Sequence, residues 1–200
     1  MWDERYATEE YVFGTAPSLF LERNAGLLTH GETALAVADG EGRNSVFLAE
    51  KGPAVTAMDS AATGVEKARR LAGFKGVEVD FRLADLTTWE WTPGTYDVVA
   101  AIFIQFAPPA FRAEIFDGIE RTLKPGGLLL LHGYTPKQLE FRTGGPSAEE
   151  NLYTRDMLAE RFGAWEILRL AEYEAELNEG AGHSGPSALI DLIARKPKTM

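Results

Sequence analysis

The chain has 200 residues, of which 45% are hydrophobic, and sets 20 Lys or Arg against 30 Asp or Glu for a formal net charge of −10. That apolar fraction excludes a mainly disordered chain, and the length predicts one globular domain over residues 1–200. The acidic balance argues against a sequence-independent nucleic-acid binder, which needs a basic face. With no cysteine, disulfides, thiolate-ligated metals and thiolate nucleophiles are excluded together. The three histidines show no metal-ligand spacing, so no metal is expected. Met1-Trp2-Asp3-Glu4-Arg5 lacks the layout of a signal peptide. The apolar runs Val98 to Ile104 and Leu128 to Leu131 fall short of the ~18 residues of a spanning helix. A soluble, cytoplasmic protein without a membrane partner is expected.

In chain order, residues 1–30 are rich in aromatics (Trp2, Tyr6, Tyr11, Phe13, Phe20) and can pack on a sheet or lie over a ligand. Ala34 to Ala38 reads as a short buried strand, ended by Asp39-Gly40-Glu41-Gly42. Asn44 or Ser45 can cap a helix over Val46 to Ala49 that stops at Gly52. Val55 to Met58 is a second strand ending at Asp59, Ala61 to Ala72 a helix, and Val77 to Leu83 a third strand. Tyr96 to Ile104 is the most apolar strand, as expected inside a two-sided sheet. Phe111 to Leu123 places Phe111, Ile115, Ile119 and Leu123 on one helical face, ended by Pro125-Gly126-Gly127. Leu128 to His132 is the next strand, followed by a polar loop (Thr135 to Asn151) and a helix over Arg155–Phe162. Trp165 to Leu177 and Ala188 to Arg195 close the chain as an antiparallel hairpin. Strands alternating with helices predict an α/β, Rossmann-like, doubly wound, mostly parallel seven-stranded sheet with an antiparallel edge hairpin and an N-terminal helical cap over residues 1–30.

In such a sheet ligands sit at the carboxyl ends of the strands. Glycines in Gly40-Glu41-Gly42 let the backbone turn sharply and come close to a ligand, and Asp59 lies 19 residues past Gly40. That offset suits an acid that accepts from both hydroxyls of a ribose. Asp85, after the third strand, reads either as a turn acid or as an acceptor for an adenine amino group. Ser45 stands where a dinucleotide fingerprint wants its third glycine, and no phosphate-loop motif is present. A ligand with ribose and adenine but no pyrophosphate is what remains.

Gly40-Glu41-Gly42-Arg43-Asn44, Asp59, Ala84-Asp85-Leu86 and Leu123-Lys124-Pro125-Gly126-Gly127 together resemble the motifs of class I S-adenosylmethionine-dependent methyltransferases. The form is that of the TehB-like branch, which includes tellurite-resistance and thiopurine-methyltransferase-like members. Trp2-Asp3-Glu4-Arg5-Tyr6 with Tyr11, Gly14 and Pro17 is similar to that branch's cap, as are Gly144-Gly145-Pro146 and Glu179-Gly180-x-Gly182-His183-x-Gly185 to its late segments. The resemblance implies S-adenosylmethionine as cofactor and S-adenosylhomocysteine as product. It assigns the ribose to Asp59, the adenine to Asp85 and Leu86, and the methionine moiety to Asp39, Gly40, Glu41, Gly42 and Asn44. Tyr6, Ser60 and Phe103 complete the implied contacts. One departure is Ala36 and Ala38, where the family's first motif has an acid two residues before its first glycine; Asp39 or Glu41 would have to compensate.

The same resemblance puts the acceptor pocket near Ile104-Gln105-Phe106-Ala107-Pro108-Pro109. Relatives often carry His near Gln105, and glutamine cannot act as a base. A soft acceptor such as a thiol, metalloid or halide needs none; otherwise a base comes from elsewhere. Gln105, Tyr134 and His183 are the catalytic candidates. His132, among four leucines, reads first as a satisfied core histidine, and His30 as structural. The implied partner is a small-molecule methyl acceptor, with the chain a monomer or weak homodimer. Two alternatives stand beside this reading: a non-catalytic module that binds the same cofactor, and a nicotinamide oxidoreductase.

Overall fold

The computed structural model describes residues 1–198. Seven strands form a mixed sheet in the order β3-β2-β1-β4-β5-β7-β6. The chain divides into two compact units, Met1–Glu90 with Glu179–Gly182, and Trp91–Asn178 with the chain from His183 onward.

The first unit opens with α1 (Trp2–Tyr6) and α2 (Leu19–Arg23), the latter capped by the Ser18 hydroxyl accepting from Leu21 N–H. Then come β1 (Thr33–Val37), α3 (Arg43–Glu50), β2 (Ala54–Asp59), α4 (Ala62–Lys75) and β3 (Val79–Leu83). The three strands pair in parallel, β1 with β2 and β2 with β3. The expected strands are present within two residues at each end. The cap of α3 is not where the sequence suggests. Gly42, at φ 92°, holds the N-cap position with no side-chain cap, because Asn44 and Ser45 both lie inside the helix and bond elsewhere. Helix α4 runs past Gly73 and stops at Gly76, which takes the left-handed conformation.

The second unit contains β4 (Tyr96–Ile102), α5 (Pro109–Thr122), β5 (Leu123–Tyr134), α6 (Gln138–Phe141), α7 (Arg155–Phe162), β6 (Glu166–Asn178) and β7 (Ser184–Arg195). β4 and β5 are parallel, while β7 runs antiparallel to both β5 and β6. β4 ends two residues early because Phe103 turns to φ 56°. Pro125-Gly126-Gly127 does not separate helix from strand but forms an irregularity inside β5, where the register jumps from Tyr96↔Leu123 to Val98↔Leu128. Residues 84–95, between β3 and β4, hold no helix. The loop over 135–151 carries α6 and a 3-10 turn, Glu149–Asn151. Among the described residues no helix is long and apolar enough to cross a membrane.

The turn between β1 and α3 is the tightest part of the first unit. Ala38 (φ 48°), Gly40 (φ 62°) and Gly42 (φ 92°) all lie in left-handed space. A Cβ on Gly42 would lie 2.6 Å from the Cβ of Ala68, so α3 starts against α4 with no room for a side chain. Gly42→Ala is therefore expected to destabilise the protein by about 3 kcal/mol, whereas Ala38→Gly, which relieves a left-handed alanine, is expected to stabilise it by about 0.5–1 kcal/mol. Denaturant unfolding of the two variants measures both signs.

Candidate functional site

Three carboxylates around the β1–α3 turn have separate tasks. Asp59, at the end of β2, is 8% exposed. Its Oδ2 accepts from Gly40 N–H at 2.8 Å and its Oδ1 from Ala61 N–H at 2.8 Å. Burial pushes its pKa up, against the opposing effect of backbone N–H bonds from Ala61, Gly40 and Ser60. The acid expected to grip a ribose is thus enclosed and oriented by the glycine turn itself. These backbone donors take up part of the about four acceptor positions of the carboxylate, and capacity remains for a further donor.

Asp39 turns towards α3. Its Oδ1 accepts from Ser45 N–H at 3.1 Å and its Oδ2 from the Ser45 hydroxyl. It provides the cap at the start of α3 that Asn44 and Ser45 do not. Burial raises its pKa to about 6, opposed by the Ser45 bonds and by Arg43 and reinforced by Asp59. Glu41 points the other way. It is buried, forms an ion pair with the buried Lys67, and accepts from Val12 N–H at 2.8 Å and Phe13 N–H at 3.4 Å. The Lys67 ammonium also donates to the carbonyls of Tyr6 (3.3 Å) and Glu10 (2.6 Å), and Tyr11 O–H donates to the Lys67 carbonyl. Glu41 and Lys67 therefore tie residues 6–13 to the turn and to α4.

Other positions follow the same logic. Asn44 Oδ1 accepts from Ser18 N–H at 2.9 Å. Arg43 pairs with Glu179 at 2.8 Å, and Glu179 also accepts from Leu19 N–H. Gly182 N–H donates to the Val12 carbonyl at 3.0 Å. Tyr6 is buried, stacks on Trp2 with centroids 5.5 Å apart, and places its hydroxyl over Gly40, where a Cβ would lie 2.7 Å away. Burial and the charges of Asp59 and Glu41 raise the Tyr6 pKa, so the phenol stays protonated and can donate. Ser60 is exposed, and Leu86 is buried. Asp85 is exposed, with its Oδ1 accepting from the backbone and hydroxyl of Thr87, whose N–H is the main cause of a lowered pKa.

In the second unit, Gln105 is 4% exposed and its amide is engaged on both sides. Nε2 donates to the Tyr134 carbonyl at 2.8 Å and Oε1 accepts from Tyr134 N–H at 2.6 Å, so the side chain pairs with β5 as a short strand would. Gly133 has to be glycine beside it, since a Cβ there would meet Gln105 Oε1 at 2.5 Å. Tyr134 and His183 join Phe103 in a ring cluster. Phe103 lies 4.1 Å from His183, 4.7 Å from His132 and 4.8 Å from Tyr134. His132 is 1% exposed, and its Nδ1 is 2.8 Å from Oδ1 of Asp191, which lies opposite it on β7. Asp191 also accepts from Arg169 Nε at 2.7 Å and Tyr173 O–H at 3.0 Å. Burial pushes the Asp191 pKa up, but the His132 hydrogen bond and charge, with the bonds from Arg169 and Tyr173, outweigh it and hold the group low. His30 lies against Gly52.

Sequence reading missed Lys67, Glu179 and Asp191 as partners. A signal for Asp191 was present, because an acid inside Ala188-Leu189-Ile190-Asp191-Leu192-Ile193, like His132 inside a run of leucines, cannot be buried without a polar partner. Among the described residues no group of three or more His, Cys, Asp or Glu could hold a metal.

Comparison with known proteins supports the fold. Residues 34–127 match the methyltransferase domain family model. The ubiquinone biosynthesis O-methyltransferase of Pseudomonas paraeruginosa is 32% identical over 114 residues, 56% of this chain and 47% of that protein. The chain spans less than half the length of the curated relatives it matches. Among solved structures, TehB from Haemophilus influenzae superposes with a TM-score of 0.70 at 19% identity, covering 88% of this chain and 61% of that one. A structure described for the conversion of a disulfide bond into a thioacetal group during echinomycin biosynthesis gives 0.76 at 17% identity, covering 96% and 86%. These likenesses establish the Rossmann-like methyltransferase fold.

The raised pKa of Asp39 has a sign that can be checked. Between the unfolded value of 3.8 and the folded value of about 6, the native state binds more protons, so stability falls as pH rises through that window. Asp59 acts in the same direction. Asp39→Asn removes one contribution, so its unfolding free energy is expected to fall by about 2 kcal/mol less than wild type from pH 4 to pH 7. Urea unfolding at several pH values measures that difference in slope.

Proposed function

We propose that this chain is an S-adenosylmethionine-dependent methyltransferase acting on a small molecule, with S-adenosylhomocysteine as product. The observation that carries the reading is the enclosed Asp59 carboxylate, oriented by Gly40 N–H beside a side-chain-poor turn. The matched methyltransferase domain over residues 34–127 supports it. When bound, the cofactor supplies a methyl group on a sulfonium and departs as a neutral thioether. Asp59 holds the ribose hydroxyls, Leu86 and Asp85 border the adenine, and the backbone of the Gly40–Gly42 turn takes the methionine portion. Glu41 and Asn44 act through the chain, anchoring residues 12–18. Tyr6 and its neighbours form the cap on the turn.

The acceptor is a small molecule whose placement falls to the second unit. The Gln105 side chain is taken up by Tyr134 of β5, so its lack of basicity does not select between a soft acceptor and one served by a base from elsewhere. The named neighbours act on different chemistries, an O-methylation in one and a disulfide in another. The TehB-like branch stays part of this proposal on the motifs of the sequence, while the structural likeness to TehB is one of fold and does not select tellurium as the natural acceptor.

Loss of the Asp59 carboxylate tests the cofactor site. Asp59→Ala is expected to weaken binding of S-adenosylhomocysteine by about 1.5–3 kcal/mol in calorimetry, the usual loss for charge-assisted hydrogen bonds. An unchanged affinity places the ribose elsewhere. Formation of S-adenosylhomocysteine with a panel of acceptors separates the enzyme from a binding module of the same fold.

A further inference from the structure

We propose that two copies of this chain pair through the outer edge of β3, antiparallel and about a two-fold axis at Phe81, with Asp80 of each copy opposite Arg82 of the other. The surface lies wholly in the first unit and is independent of the methyltransferase reading.

β3 ends the sheet order, so one side of it has no neighbouring strand among the described residues. Which backbone groups face that side follows from the ladder. Asp59 is in register with Leu83, and its carbonyl accepts from Ala84 N–H at 2.9 Å. The even-numbered residues of β3 therefore turn their N–H and C=O towards β2, and Val79, Phe81 and Leu83 turn theirs outward. The Phe81 carbonyl agrees with this direction, since it accepts an exposed bond from Arg69 Nη2 on α4 at 3.2 Å. That bond uses one of the two acceptor positions of the oxygen and leaves the other for a strand.

Edges are commonly blunted by bulges, cover or charge. β3 pairs with β2 without a bulge, and its charges are arranged to attract a copy of itself. Asp80 and Arg82 lie on one face with side chains 54% and 53% exposed, paired within the chain at 2.7 Å. On the other face Phe81 packs against Val46, Leu71 and Ala72, while Leu83 stays 57% exposed and Phe74, on α4, 85%.

Charge selects the register. Pairing centred on Asp80 sets two aspartates opposite each other, and pairing centred on Arg82 sets two arginines opposite each other; both are destabilising. Pairing centred on Phe81 sets Val79 opposite Leu83 and Asp80 opposite Arg82, each twice by symmetry. The charged pairs then fall at the positions without ladder hydrogen bonds, where side chains approach most closely. With the intrachain pairs they form a ring of alternating sign around the axis. The site also suits self-approach in a chain of net charge −10, because residues 66–83 carry more basic than acidic side chains.

Sedimentation velocity of the full chain from about 1 to 200 µM reads the association, a range that suits a small interface. Wild type is expected to show a monomer–dimer equilibrium. Arg82→Asp and Asp80→Arg each set like charges opposite each other, and each is expected to weaken the dimer at least about tenfold. The double exchange, Asp80→Arg with Arg82→Asp, restores opposite signs and is expected to return the dissociation constant to within about threefold of wild type. A wild type that stays monomeric throughout, a dimer that either single reversal leaves intact, or a double exchange no better than the singles overturns the proposal. Hydrogen exchange of wild type needs no variant. Protection of the Val79, Phe81 and Leu83 amides is expected to rise with protein concentration, while that of Asp80 and Arg82, already turned to β2, stays constant. Protection of the first three that is independent of concentration overturns the β3 pairing and leaves the methyltransferase reading untouched.

Discussion

The first unit depends on a turn that bends through three left-handed residues in five, from Ala38 to Gly42. A backbone so shaped has few contacts of its own, so it is held by acids on three sides. Asp59 takes the Gly40 N–H, Asp39 takes the start of α3, and Glu41 reaches the N-terminal segment through Val12, Phe13 and Lys67. Gly42 permits the arrangement by letting α3 begin in contact with Ala68. The same turn is the proposed place of the cofactor, so under that proposal the geometry for folding and for binding is largely one set of bonds.

This distribution accounts for a departure at the first motif. With alanine at 36 and 38, Asp39 and Glu41 are the acids nearest the turn, yet each has a structural partner. Asp39 acts as the cap that α3 otherwise lacks. Glu41 lies in an ion pair whose members are almost entirely enclosed, where removal of one partner would leave an uncompensated charge. In the proposed function, recognition of the methionine portion is then assigned mainly to backbone groups of the turn.

The second unit solves a related problem within strands. β5 and β7 are apolar throughout their centres, and the two polar side chains there satisfy each other across the ladder. Gln105 bonds both backbone groups of Tyr134 at the end of β5, whose carbonyl also accepts from Tyr153 N–H. Phe103, His132, Tyr134 and His183 gather into one cluster although they come from the residue after β4, from β5 and from the turn before β7.

Much of the fold was legible in the sequence because it follows from local rules. Runs such as Val98-Val99-Ala100-Ala101 and Leu128-Leu129-Leu130-Leu131 read as buried strands, and the acid after Met58 was recognisable from its distance to Gly40. The extent of α7 was also readable, since Thr154 caps it and its apolar residues recur at helical spacing. The cap of α3 was not readable, because an Asp outside the helix displaced the two residues that local propensity favours. Composition and periodicity thus determined the element order and the position of the glycine turn, which depend on neighbours a few residues apart. Only the tertiary structure decided that Glu41 meets Lys67, Arg43 meets Glu179 and His132 meets Asp191. Those pairs are set by how helices seat and how antiparallel strands register, and a register displaced by one residue would turn Asp191 to the opposite face of the sheet.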